Sequence, residues 1–273
     1  MRYLGLLIVG ALTTWGSLVD AITGGSGASV DRPAERSVQF DVDAECDLTT
    51  VAALAARHQG VRQFVVMATD GWDRTAGTVA IAARGDDGTW RCQTGPQEAA
   101  LGRSGTRPLA DRISGDGSTP AGVFPLGVVT AWDGEVFSLF GNSPDPGALA
   151  PYRDVRPEDC WGATRHTSSY QHLVNRPGCR GPDEWLTSFG DAYVHAAVIG
   201  ANLDPISGDQ PGETPYAAAI FLHRHSYRDG APKPTSGCVS LAHDDLVRTI
   251  RLIDPALDPH FAIGPTDWLR TTP

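Results

Sequence analysis

The sequence predicts a mainly β domain with one short helix near its N-terminus and another after its last cysteine. Three observations carry this expectation. Short apolar runs rich in Val, Ile, Ala and Phe recur from residue 61 onward, as strands do. Turn-forming stretches of Gly, Pro and Asp separate them. Two other stretches instead place apolar residues three to four positions apart, the spacing of a helix face.

At the start, Arg2 precedes the apolar run Leu4 to Leu12, and Val19-Asp20-Ala21 puts small residues at the −3 and −1 positions of a cleavage site. Residues 1–21 therefore read as a secretory leader. The apolar run is shorter than the roughly 20 residues of a spanning helix, so a membrane link would exist only through an uncleaved leader. Residues 22–60 read as a linker followed by a helical segment. The Gly, Ser and Ala residues up to about Ser37 suit a flexible connection. From Asp47 to His58, Asp47 is placed to cap, Leu48, Val51 and Leu54 form one face, and Gly60 stops the turn.

Strands are expected from Val61 to Ala68, then at Thr78–Arg84 and Thr89–Thr94, which flank the hairpin signature Gly85-Asp86-Asp87-Gly88. Asp116 to Gly127 is a turn-rich lead into Val128–Thr130, and Val136–Phe140 reads as a further strand. Residues 142–191 show no periodicity and are dense in Pro, Gly, Arg, His and Tyr. A stretch of that length inside a domain suits a lid or functional insertion. Ala192–Ile199 and Pro215–Leu222 read as neighbouring buried strands. From Ala242 to Asp254 the face Leu246, Ile250 and Ile253, with acidic Asp244 and Asp245 in the first turn and Pro255 beyond, predicts the second helix. His260–Ile263 is the last expected strand, and residues 265–273 read as a tail.

The chain has 273 residues, 41% of them hydrophobic and 20% charged, which is enough for a sizeable core. Its formal charge of −10, with no basic run, disfavours nucleic acid as a partner. Its five cysteines, an odd number, leave at least one thiol unpaired within the chain. With Cys238 free, the other four allow three pairings, and Cys46–Cys92 with Cys160–Cys179 keeps each bridge within one region.

Cys238 and His223 are the candidate chemistry. An apolar run ends in His223, a loop follows, and the chain returns through Ser236-Gly237-Cys238 into a second apolar run. Acyl transfer by cysteine needs a thiol and an imidazole that takes its proton. Gly237 lets backbone amides near the thiol approach a developing oxyanion. A packed or bridged cysteine is the plainer alternative. A zinc site built from Cys238, His223, His225 and His243 is disfavoured by their irregular spacing and the lack of a Cys-x-x-Cys pair.

Four stretches stand in order along the chain: Gln63 to Trp90; Gly115-Asp-Gly-Ser-Thr-Pro-Ala-Gly-Val-Phe-Pro125; Val198-Ile-Gly-Ala-Asn202 with Ala219-Ile-Phe-Leu-His223; and Thr235-Ser-Gly-Cys-Val-Ser-Leu241. Together they resemble the catalytic domain of bacterial L,D-transpeptidases of the YkuD-like type. The resemblance spans residues 61–264 and implies a β-sandwich or open barrel. It implies Cys238 as nucleophile, His223 as proton acceptor and Gly237 in the oxyanion hole, with Ser236 and Ser240 as supporting positions. His223 lies 15 positions before Cys238, a gap similar to the family's, and His225 lies 13 before it, which leaves His225 as a secondary candidate. Many members carry His or Lys where Ser236 stands, and Arg or Asn where Ser240 stands, so donor and acceptor preferences are left open. The resemblance implies peptidoglycan stem peptides as substrates, carbapenem-type β-lactams as inhibitors, no metal or organic cofactor, and a secreted protein of the periplasm or cell wall. An L,D-carboxypeptidase, another peptidoglycan acyltransferase or an inactive wall-binding module would share these motifs.

Overall fold

The computed structural model describes residues 38–113, 115–164, 167–203 and 217–271. The expected leader 1–21 and the linker up to residue 37 lie outside the described residues. The fold is mainly β. Helix α1 (Leu48–Arg57) begins as expected, with the Asp47 carboxylate accepting from the Thr50 amide at 3.0 Å and from its hydroxyl at 2.7 Å, which satisfies an otherwise unpaired first-turn donor.

The strands β1 (Gln63–Thr69), β2 (Ala76–Arg84) and β3 (Trp90–Ala100) form an antiparallel meander, with the Gly85–Gly88 turn closing its second hairpin. They are followed by β4 (Thr106–Pro108), β5 (Thr119–Pro125), β6 (Val129–Thr130), β7 (Val136–Phe137) and β8 (Leu139–Gly141). Next come β9 (Tyr152–Asp154), β10 (Asp159–Trp161), β11 (Leu173–Asn175), β12 (Glu184–Trp185) and β13 (Ala196–Val198). The chain ends with β14 (Phe221–Arg224), β15 (Tyr227–Arg228), β16 (Ala231–Pro232), β17 (Val239–Leu241), α2 (His243–Leu252), β18 (Pro259–Pro265) and α3 (Thr266–Thr271).

Eleven strands join one mixed sheet in the order β4-β5-β18-β1-β2-β3-β17-β14-β13-β8-β9. The sheet curls back on itself. Just beyond β5, the Gly127 amide donates to the Val198 carbonyl at 2.8 Å, and the Gly200 amide donates to the Pro125 carbonyl at 2.9 Å. One core therefore contains Met67 from β1, Phe124 from β5, Ala197 from β13, Leu222 from β14 and Val239 from β17, together with Leu246 and Ile250 of α2. A second core gathers Phe137, Phe140, Trp161, Tyr193 and Phe221. A third packs Val51 and Leu54 of α1 and Leu269 of α3 against Phe64 and Val66. Strand β1 thus buries both faces, which explains why its sequence is continuously apolar rather than alternating.

Four expectations are modified. Of the expected Pro215–Leu222 strand, Pro215 and Tyr216 lie outside the described residues, and among the rest the strand begins at Phe221, because Ala219 adopts φ 51° and breaks extended pairing before it. Ala192 and Tyr193 belong to a 3-10 segment, and the strand starts at Ala196. Residues 266–271 form α3 rather than a tail, and the Arg270 guanidinium donates to Asp47 at 2.7 Å. The 142–191 stretch contains β9 to β12, with β10 between β11 and β12 in a small sheet. Its local strands are too short for alternation to be legible. No helix among the described residues is long and apolar enough to cross a membrane.

Candidate active site

Both expected bridges are present, Cys46–Cys92 and Cys160–Cys179, and Cys238 is free. Strands β14 and β17 are parallel neighbours, with Leu222 opposite Val239 and His223 opposite Ser240. Leu222 and Val239 both enter the first core, so the alternation of strand side chains sends Phe221, His223 and Cys238 to the other face. There Cys238 packs against the second core. The Phe221 amide lies 3.4 Å from Cys238 Sγ, and the thiol donates to the Ala219 carbonyl at 3.3 Å.

Cys238 and His223 line one cavity of about 330 Å³, with Arg103, Glu184, Tyr193 and Lys233 among its walls. His223 Nδ1 lies 2.7 Å from the Arg224 carbonyl. A carbonyl can only accept, so Nδ1 carries the proton and Nε2 keeps its lone pair. The Tyr193 ring stands edge-on to the imidazole, with centroids 5.5 Å apart. Burial holds His223 down at about 4, with its bond to Arg224 opposing and nearby His225 reinforcing the shift. Burial, aided by the Glu184 charge, pushes the Cys238 thiol up to about 12, while the Phe221 amide and Arg112 pull the other way. At neutral pH the cavity therefore holds an uncharged thiol and an uncharged imidazole rather than a thiolate and an imidazolium.

The loop carrying the thiol is held from several sides. The Thr235 hydroxyl donates to the Cys238 carbonyl at 2.6 Å, and the Arg103 amide donates to the Thr235 carbonyl at 2.9 Å. Gly237 has φ 151°, and a Cβ there would lie 3.1 Å from the Ser118 carbonyl and 3.4 Å from the Arg112 guanidinium. A side chain would thus meet both a strained backbone and a crowded wall. The Gly237 amide donates to Thr235 Oγ1 at 3.1 Å. An oxyanion would have to displace that bond or draw on neighbouring amides. Arg112 is fully buried behind this loop, and its Nη2 pairs with Asp116 at 3.4 Å.

The remaining expected residues separate. Ser236 is exposed, and its Oγ accepts from Arg103 Nη1 at 3.3 Å. Ser240 is fully buried, with its Oγ 2.9 Å from His225 Nδ1. His225 lines a different cavity, with Glu98, Tyr227 and Asp245, and His243 lines yet another, beside Phe40 and Arg251. The structure thus brings His223, not His225, to the cavity of the thiol, and it does not gather the four residues of the zinc alternative.

Sequence reasoning missed Glu184, Tyr193, Arg103 and Lys233. Glu184 and Tyr193 sit within or beside the aperiodic stretch, where no pattern assigns a facing direction. The Tyr193 hydroxyl donates to Glu184 Oε2. Burial raises the Glu184 carboxyl to about 7, with that hydrogen bond opposing. Comparison of the chain with models of protein families, with curated proteins and with solved structures finds no match.

Proposed function

We propose that this chain is an exported cysteine acyltransferase of the L,D-transpeptidase type, acting on peptidoglycan stem peptides. The observation that carries the reading is an unbridged Cys238 sharing a cavity with His223, whose free nitrogen is set by its bond to the Arg224 carbonyl. The motif resemblance supplies the substrate class. Two disulfides suit an oxidising compartment outside the cytoplasm.

In this mechanism the carbonyl between the third and fourth stem residues enters beside Cys238. The thiol proton moves to His223 Nε2 as sulfur bonds to the carbonyl carbon. Because the thiol is pushed up and the imidazole down, this transfer belongs to the attack itself rather than preceding it. The protonated imidazole then gives its proton to the departing amine of the terminal D-residue, leaving a thioester on Cys238. An amine from a second stem attacks the thioester, forming a 3→3 amide link and returning the sulfur as a thiol. Water in place of the amine gives a tripeptide, the carboxypeptidase outcome.

The test is incubation of the purified protein with a disaccharide tetrapeptide, followed by mass analysis of products and of the intact protein. Cross-linked dimer and a Cys238 adduct are expected, both lost in Cys238→Ser. Tripeptide alone would select the carboxypeptidase reading. An unmodified protein and unchanged substrate would select a wall-binding role.

A further inference from the structure

The cavity contains a carboxyl group that the first half of this mechanism does not use. Glu184 stands on β12 opposite Trp161 of β10. The Trp161 ring meets Phe221 at 4.8 Å between centroids, and the Phe221 amide faces Cys238 Sγ at 3.4 Å. The Tyr193 ring contacts both Phe221, at 5.7 Å, and His223, at 5.5 Å, while its hydroxyl donates to Glu184 Oε2. Glu184, the thiol and the imidazole are therefore held by one aromatic cluster and line one cavity.

Glu184 forms no ion pair among the described residues, although Arg103 and Lys233 line the same cavity. Its other carboxylate oxygen, Oε1, accepts no hydrogen bond among the described residues. A half-buried carboxylate costs free energy unless a donor or cation meets it. The fold supplies one donor to one oxygen and leaves the other for an incoming group.

Resting on the acyl-transfer reading, we propose that Glu184 binds the ammonium group of the acceptor and takes its first proton. The proton count requires such a group. An acceptor arrives as R–NH₃⁺, and its nitrogen keeps one hydrogen in the amide product. Two protons must therefore leave. One passes through His223 to the Cys238 sulfur as the carbon–sulfur bond breaks. The other goes to Glu184 before the nitrogen lone pair attacks the thioester carbon, and then to solvent. Hydrolysis by water needs no such step, since one proton returns to sulfur and the other stays on the product acid. A carboxyl that titrates near neutrality is suited to this exchange.

The experiment loads the full chain and its Glu184→Gln variant with the disaccharide tetrapeptide and measures the ratio of amide to hydrolysis product. Both products arise from the same thioester, so the ratio does not depend on how fast it forms. The stem amine, an ammonium at neutral pH, is one acceptor; hydroxylamine, unprotonated at neutral pH, is the other. Glu184→Gln is expected to lower the ratio for the stem amine by roughly 10²-fold, the scale of a lost general base, and to keep the ratio for hydroxylamine. An unchanged ratio with the stem amine overturns the role of Glu184. An equal fall with both acceptors also overturns it, since the damage would then be to site shape. Failure of the unaltered protein to form any thioester overturns the acyl-transfer reading itself, and this inference with it.

Discussion

Two residues in the cavity titrate in opposite senses, and their signs can be separated. His223 is held down at about 4 against an ordinary 6.5, so the unfolded chain binds its proton first as pH falls. Its contribution to stability is full above 6.5 and is lost as pH falls toward 4. Glu184 is raised to about 7 against an ordinary 4.5, so the folded chain binds its proton first. Its contribution grows as pH falls from about 7 to 4.5. Each shift corresponds to roughly 3 kcal/mol at most, so in the unaltered protein the two largely offset each other between these limits. Denaturant unfolding at pH 4.5 and pH 7 should show this. His223→Gln is expected to be relatively more stable at the lower pH, and Glu184→Gln relatively less stable. Parallel behaviour of the two variants would contradict the opposed shifts. At the level of activity, His223→Ala should slow acylation of Cys238 by a carbapenem by roughly 10²–10⁴-fold, read by intact mass, and His225→Ala should slow it far less. Cys238 and His223 were legible in the sequence because His223 closes one clear apolar run and Cys238 opens the next. Glu184 was not, because its neighbours Asp183 and Trp185 give no period from which to tell an inward carboxylate from a solvated one.

The strand pair and the small sheet beside it form the element scale. Parallel pairing of β14 with β17 puts the imidazole and the thiol on one face, and the loop between the strands only needs to return the chain. That arrangement follows from two apolar runs and was readable. The 142–191 stretch, expected from its sequence to be a lid or insertion, is held by polar contacts that no hydropathy pattern reports. The buried Arg153 side chain donates to both oxygens of buried Asp159, at 2.8 and 2.7 Å, and reaches Asp133 and Glu135. Trp132 Nε1 adds a bond to Asp159 at 2.8 Å. Removing one partner from such a group leaves an uncompensated charge in the interior, at a cost of roughly 3–5 kcal/mol. Arg153→Met should therefore destabilise the protein by that order in denaturant unfolding, well beyond the effect of replacing exposed Arg84. A loss no larger than that of a surface substitution would show that this network is not what holds the stretch.

At the scale of the whole molecule, the two disulfides make the last distinction. One ties the segment before α1 to β3, and the other ties β10 to the turn before β12. They close 46 and 19 residues of chain, and the chain-entropy account gives roughly 4 and 3 kcal/mol for them. On stability alone they are near equals. Their positions are not equivalent. Cys46 packs against the third core and ties Cys92 of β3 to it, while Cys160 lies next to Trp161, whose ring meets Phe221 and whose cross-strand neighbour is Glu184. The sheet brings both regions into one fold because β5 folds round to β13, so stability is shared while the cavity wall is local. Replacing Cys46 and Cys92 with Ala should lower the unfolding midpoint and leave the amide-to-hydrolysis ratio unchanged. Replacing Cys160 and Cys179 should lower the midpoint by a comparable amount and also shift the ratio toward hydrolysis, as the carboxyl loses its fixed place beside the thioester. Equal ratios in the two double variants would mean that the aromatic cluster, without its disulfide, is sufficient to place Glu184.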